Sequence, residues 1–404
     1  MENEIHHAAC GTFAVTTGSA QSSPSAPEGQ PPLRYRRIVA KAGTGLLTGG
    51  SDRLDLEVMA SLVGQIARLH RQGAEVLLVT SGAVAAGRQI IASTGIAKLR
   101  DVPSRQVLAA IGQGRLMNAY EQLFAWSGIP VAQALLTRRD IADRLGYLNI
   151  RNSLLALLAL GVAPIINEND VVAVDELEGE SFGDNDTLSA MVANIVDADA
   201  LVLLSDVAGL FTADPNTHPG AKLIPQVDRI DASVEALAGG ALSERSRGGM
   251  RTKVEAARLA TASGTCAFVC DGREPNALER LARGESLGTM FSATASKLES
   301  RERWMLGVCA TNAGIVVDAG AERALRQQNR SLLPPGVRGV RGEFHRGEVV
   351  PIVNEAGERL AVGIANYSAD EVRRLAGKRS DRVQTELGYT YGEEVVHRNN
   401  MVVV

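Results

Sequence analysis

From Arg34 to about Ala295, short β-branched apolar runs alternate with longer segments of helical periodicity, and each run ends on glycine or polar residues. Strands that alternate with helices need crossover connections, so this pattern predicts a mainly parallel sheet covered on both faces, a three-layer αβα sandwich. The expected strands begin with Ile38–Ala40 and continue with Ala74–Thr80, Pro130–Leu136, Ala163–Ile166, Ala200–Leu204 and Thr265–Asp271. The expected helices include one capped by Asp52 and reaching Arg71, then Arg105–Ser127, Leu148–Leu160, Leu188–Val196 and Thr252–Ala262. Ligands of such sheets sit at the carboxyl ends of the strands. The polar and glycine-rich groups gather at those ends, which predicts one shared site.

The chain has 404 residues, too many for one ordinary domain. Residues 1–32 are small and polar, rich in Ser, Gly, Ala and Pro, and are expected to form a disordered tail because they offer too little apolar surface to offset ordering entropy. The α/β unit is expected over 33–295 and a charged linker over 296–310. A small β-rich domain then spans 311–404, with strands near Gly314–Val317, Gly339–Glu343, Val349–Ile352 and Ala361–Ile364, and helices at Gly320–Gln328 and Ala369–Leu375. A formal net charge of −4 gives no global attraction to nucleic acid or membrane. Four scattered cysteines, Cys10, Cys266, Cys270 and Cys309, make no disulfide framework. The longest apolar run, Leu154–Ile166, is too short to span a bilayer, and no leader pattern opens the chain, so the cytoplasm is expected.

Four polar clusters carry the candidate chemistry. Lys41-Ala42-Gly43-Thr44-Gly45 puts a lysine and glycines at a strand end, which suits a phosphate, although an ordinary βα turn with a solvated lysine has the same composition. It matches neither the Walker A spacing nor G-x-G-x-x-G. Thr80-Ser81-Gly82-Ala83 places a hydroxyl and small residues where a strand meets a helix, either as an anion pocket or as a helix cap. Asn167-Glu168-Asn169-Asp170 and Gly183-Asp184-Asn185-Asp186 set carboxylates and amides near strand ends or helix starts, where they suit a hydrated cation or a substrate ammonium; Asp186 could also cap the helix that follows. Gly248-Gly249-Met250-Arg251-Thr252-Lys253 heads a helix and suits a polyphosphate, or is an exposed loop.

Taken together, and with Ser205-Asp206 and Phe211–Pro215, these motifs resemble the amino acid kinase family. The resemblance covers residues 36–404 through KAGTGLLTGG, TSGAVAAGR, INENDVVA, FGDNDTLSA, LLSDVAGLFTADP and GGMRTKVEAA, in that order. The C-terminal unit, with Ser331–Gly336, Arg346-Gly347-Glu348 and His397-Arg398, is similar to the PUA domain. That pairing narrows the resemblance to members that use ATP to phosphorylate the side-chain carboxylate of L-glutamate, giving L-glutamyl 5-phosphate, the first step of proline biosynthesis. Within the same fold, action on a different carboxylate or phosphate is the alternative.

The resemblance implies that Lys41 and Lys253 contact the transferring phosphate and that Asp186 holds them, these three forming the catalytic set. It implies that Ser81, Asp170 and Asn185 bind glutamate. Lys41, Gly43, Ser205, Asp206 and the run Arg247, Gly248, Gly249, Met250, Arg251, Thr252 and Lys253 would line the nucleotide. Mg²⁺ would be held mainly by ATP phosphates, with Asp184 as a water-mediated ligand and no dedicated metal site. Proline as feedback inhibitor and a dimer or tetramer complete what the family implies. Gly45 stands where the family has serine, Ala42 replaces a larger aliphatic and Ser205 replaces threonine, while Arg247 and Arg251 stand where small or hydroxyl residues are usual; these bear on nucleotide affinity. Residues 311–404 carry thirteen Lys and Arg against twelve Asp and Glu, a balance that argues against RNA binding.

The chemistry needs no general base. A free glutamate side chain has a pKa of about 4.3 and is already ionised at neutral pH. Two anions must then meet in line, so positioning and charge neutralisation are what a catalyst has to supply.

Overall fold

The computed structural model describes residues 31–94, 102–173, 185–239, 249–294, 296–297, 305, 309 and 313–403. The expected tail up to residue 30 and most of the expected linker lie outside the described residues. The first unit is built on an eight-stranded sheet in the order β3-β4-β2-β1-β5-β7-β8-β6. Its strands are β1 (Arg37–Ala42), β2 (Glu75–Thr80), β3 (Val131–Leu136), β4 (Ala163–Glu168), β5 (Ala200–Ser205), β6 (Gln226–Val227), β7 (Cys266–Asp271) and β8 (Thr289–Phe291). Every pairing is parallel except β7 with β8.

Alternate strand residues feed two separate cores, because successive side chains of a strand point to opposite faces. Ile38 and Ala40 of β1, with Val76, Leu78, Ile165, Val202 and Phe268, pack under α1 (Thr44–Thr48), α2 (Leu56–Arg71), α3 (Ala83–Thr94) and α4 (Val102–Ala125). Val39, Leu77, Val79, Ile166, Leu201, Leu203 and Val269 face the other layer. That layer holds α5 (Arg138–Ala142), α6 (Arg144–Ala159), α7 (Asn185–Ile195), α8 (Ala232–Ala238) and α9 (Met250–Ala262). The helix α10 (Ala277–Ala282) returns to the first layer.

Several boundaries differ from the sequence expectation, and three of them show the physical reason. Asp52 does not cap α2; Asp55 does, its carboxylate accepting from the backbone N–H of Glu57 and Val58. α6 starts at Arg144 rather than Leu148, on an Asp143 cap that accepts from Gly146 N–H. α7 starts at Asn185, so Asp186 lies in its first turn instead of capping it.

The C-terminal sheet has the order β10-β9-β11-β12-β13. It is formed by β9 (Gly314–Val317), β10 (Val337–Arg341), β11 (Val349–Asn354), β12 (Arg359–Ile364) and β13 (Met401–Val403). Its core collects Ile315, Val317, Ile352, Leu360, Tyr367 and Leu375. The closing strand β13 and the helix Val383–Leu387 are too short to show a periodicity in the sequence.

Candidate active site

Lys41 is the fifth residue of β1 and shares the face of Val39, so it points toward α7 and α9. There its ammonium meets the Asp186 carboxylate, Nζ to Oδ1 at 2.5 Å. Lys253, in the first turns of α9, reaches the other oxygen of the same carboxylate at 3.2 Å. Thr252 Oγ1 donates to that oxygen as well, at 2.9 Å. All three ionic groups are buried: Lys41 is 4% exposed, Lys253 5% and Asp186 0%. Burial on its own would raise the Asp186 pKa, but the two ammoniums and the hydrogen bonds from Lys41 and Thr252 outweigh it and hold the group below the ordinary carboxylate range. Within the trio itself, two cations surround one anion. Paired ammoniums of this kind suit an anionic group brought against them.

The N-terminus of α9 adds to that field. Its N-cap is Gly249, which makes no side-chain cap, and its first turn has no acidic residue. The backbone N–H groups of such an end attract a phosphate.

Beside the trio runs a chain of amides. Asn185, adjacent to Asp186, donates from Nδ2 to Ser81 Oγ at 2.9 Å and to Asn167 Oδ1 at 3.2 Å. Asn167 Nδ2 in turn donates to Gln113 Oε1 of α4 at 2.8 Å. Ser81 thus faces α7 at the end of β2, while its neighbour Thr80 faces the opposite layer and bonds the buried Tyr120 hydroxyl at 2.7 Å. Among the described residues, Gln113 Nε2 and Asn185 Oδ1 are buried without a hydrogen-bond partner, so the chain ends on an open donor and an open acceptor. An α-amino acid offers both complements, a carboxylate for the donor and an ammonium for the acceptor. Asp170 sits in the turn just past β4, half-buried, at the same edge of the sheet.

A third group occupies the ends of β5 and β7. Ser205, buried, donates to Asp206 Oδ1 at 3.1 Å. Asp206 lies over Gly45, where a Cβ would stand 2.9 Å from Asp206 Oδ2, so a serine there would have to displace that carboxylate. Gly43 leaves similar clearance next to Lys41, its would-be Cβ lying 3.4 Å from Nζ. Arg273, unmarked by any motif, donates to Asp206 O at 2.9 Å and pairs with Asp271 at 2.7 Å.

Of the nucleotide-side expectations, Gly249 caps α9, Thr252 turns inward to Asp186, Met250 packs toward the α7–α9 core and Arg251 is exposed. Arg247, Gly248 and Asp184 lie outside the described residues. Gln113 and Asn167 were the residues hardest to anticipate: one is a mid-helix amide and the other was hidden inside a strand-end run. Strand parity was the available signal, since it turns Asn167 toward α4 and Ser81 toward α7. Among the described residues, no group of three or more His, Cys, Asp or Glu converges as a metal cage.

Comparison with known proteins gives a consistent picture. The family model described as "Amino acid kinase family" matches residues 36–271, and that of the PUA domain matches residues 314–387. A protein named glutamate 5-kinase from Dehalococcoides mccartyi is 51% identical over 370 residues, 92% of this chain and 99% of the relative. The protein of the same name from Herpetosiphon aurantiacus is 52% identical over 369 residues, 91% and 98% of the two chains. That from Deinococcus radiodurans is 46% identical over 368 residues, 91% of this chain and all of the relative.

Proposed function

The chain belongs to the amino acid kinase family, and from that premise we propose that it transfers the γ-phosphoryl group of ATP to the side-chain carboxylate of L-glutamate. The product is L-glutamyl 5-phosphate, which opens proline biosynthesis. The observation that carries this reading is that consecutive residues of α7 serve two adjoining groups. Asp186 gathers the ammoniums of Lys41 and Lys253, while Asn185 joins the amide and hydroxyl chain of Ser81, Asn167 and Gln113. A phosphoryl donor and an amino-acid acceptor placed against them would meet at the first turn of α7.

In the reaction, an oxygen of the glutamate carboxylate forms a bond to phosphorus as the bond to the departing ADP oxygen breaks. The nucleophile is ionised at neutral pH, so no proton has to be removed. Lys41 and Lys253 neutralise the oxygens of the transferring group and offset the repulsion between two anions. Asp186 keeps both ammoniums in place without itself touching the phosphate. Ser81, Asn185, Asn167, Gln113 and Asp170 hold the amino acid, and the acidic group suits its α-ammonium. Gly43, Gly249, Ser205, Asp206 and Arg273 line the nucleotide side, with Arg247, Gly248, Met250, Arg251 and Thr252 belonging to the same margin. The Asp186 carboxylate is committed to lysines, so Mg²⁺ would be held mainly by the ATP phosphates and would reduce their charge, and Asp184 would be its candidate partner through water.

The same reading takes residues 33–295 as the kinase unit and 311–404 as the appended domain. It also carries proline as a feedback inhibitor, assembly into a dimer or tetramer, and a place in the cytoplasm. Among the described residues no helix is long and apolar enough to cross a membrane.

The decisive test is ADP release with L-glutamate, aspartate, acetylglutamate and UMP in parallel, with the acyl phosphate trapped as hydroxamate. Preference for glutamate is the expected result. Equal or greater turnover with another acceptor would reject the substrate assignment.

A further inference from the structure

Arg151 of α6 is 2% exposed. Its guanidinium joins two parts of the molecule. On one side it donates to the backbone oxygen of Ile195 and to Asp197 Oδ2 at 2.6 Å, both at the C-terminal end of α7. On the other it donates to Asn399 O at 2.6 Å and to Asn400 Oδ1 at 2.7 Å, in the C-terminal domain. Asn400 is itself 0% exposed and donates to Asn152 Oδ1 of α6 at 3.1 Å.

The surroundings hold this junction firmly. Leu148 of α6 packs with Val349, Val362, Ile364, Val402 and Met305 in one apolar cluster. Gly347, at φ 87°, lies against the backbone of Arg144 and Leu145, where a Cβ would come within 3.3 Å. Arg346 adds a bond to Asn149 at 2.7 Å without touching Arg151.

α7 therefore has a fixed point at each end. Its first turn holds Asp186 against two lysines, and at its other end Arg151 holds the Ile195 carbonyl and the Asp197 carboxylate. An eleven-residue helix is a rod about 16 Å long, so a shift at one end reaches the other. It is buried along most of its length and cannot bend to absorb such a shift.

We propose that Arg151 and Asn400 are positioning residues for the reaction: the C-terminal domain, through this pair, sets the placement of α7 and hence of Asn185 and Asp186. The inference rests on the reading that those two residues serve phosphoryl transfer. It gives the appended domain a role that needs neither RNA nor a ligand of its own.

The test uses the full chain and three variants, Asn400→Ala, Asn400→Asp and Arg346→Ala. Each is followed by amide hydrogen exchange of the first turn of α7 and by steady-state kinetics. Asn400→Ala is expected to speed exchange in that turn and to lower kcat about threefold to tenfold, since small misplacements of reacting groups are costly. The KM for ATP should change by less than about twofold, because the nucleotide side is held by other elements. Asn400→Asp keeps an acceptor for Arg151 and should restore both readouts. Arg346→Ala loosens the same interface elsewhere and should leave both at the wild-type level. Wild-type exchange and kcat in Asn400→Ala would overturn the proposal, and so would an equal loss of kcat in Arg346→Ala. If Asn400→Ala does not fold, Arg151→Lys is read in the same way, since a lysine cannot reach all four acceptors. Exchange is measured without substrate, so a wild-type enzyme inactive on glutamate would count against the proposed function alone.

Discussion

Asp186 shows how one buried carboxylate can organise two cations, and the charge count around it separates its role from that of its partners. Removing Lys253 leaves a neutral Lys41–Asp186 pair, whereas removing the carboxylate charge leaves two buried ammoniums facing each other. Lys253→Ala should therefore reduce hydroxamate-trapped turnover by about 10² to 10³ with little loss of stability; turnover at the wild-type level would reject the proposed lysine role. Asp186→Asn should destabilise the fold by about 3–5 kcal/mol at pH 7, measured by urea unfolding. The pKa of Asp186 is lowered in the folded protein, so its stabilisation is complete above the ordinary carboxylate value of 3.8 and is lost as pH falls through the lower folded-state value. The stability gap between wild type and Asp186→Asn should accordingly be widest near neutrality and shrink in strong acid. At the sheet's core, burial pushes the Cys270 thiol up to about 12, so it should resist thiol reagents at neutral pH until the chain unfolds.

At the scale of elements, strand parity decides which layer each site residue faces. Lys41 and Ser81 follow Val39 and Val79 toward α7 and α9, and Thr80 and Asn167 follow Leu78 and Ile165 toward α4. The helix pair α3 and α4 is set by two glycines in close backbone contact. A Cβ on Gly112 would stand 1.9 Å from Ala83 O, and one on Gly87 would stand 2.0 Å from Leu108 O. Gly112→Ala should force the helices apart at a cost of about 1–3 kcal/mol. It should also raise the KM for the amino acid more than that for ATP, because Gln113 is the next residue. An unchanged amino-acid KM would separate α4 from the acceptor site. These elements were largely legible: the apolar alternation marked all the longer strands of the first sheet. The caps at Asp55 and Asp143 were less so, because several polar residues precede each helix and only the backbone geometry selects one.

On the scale of the whole molecule, the two sheets have separate cores but share the apolar cluster around Leu148. Leu148→Ala should cost about 2–5 kcal/mol through the cavity it leaves. Calorimetry should then resolve two unfolding transitions, one for each unit; a single transition at the wild-type midpoint would show that the cluster does not link them. The change of texture near residue 296 announced the second unit, but nothing in the chain announced where that unit docks. Arg151 reads as one charged residue on a helix, and its four acceptors are drawn from Ile195, Asp197, Asn399 and Asn400, far apart in sequence.

The sequence by itself determined the layered α/β architecture, the appended β-rich unit and the ends of the strands where chemistry collects. It could do so because apolar periodicity, glycine turns and helix-starting polar runs act over a few residues. The tertiary structure decided which of those polar residues meet. The three ionic groups at residues 41, 186 and 253 come from separate elements, and only the folded sheet with its α7 and α9 layer brings them within 2.5–3.2 Å. Ser81, Gln113, Asn167 and Asn185 converge for the same reason. Long-range electrostatics and hydrogen bonding depend on distance through space, a quantity that local periodicity does not contain.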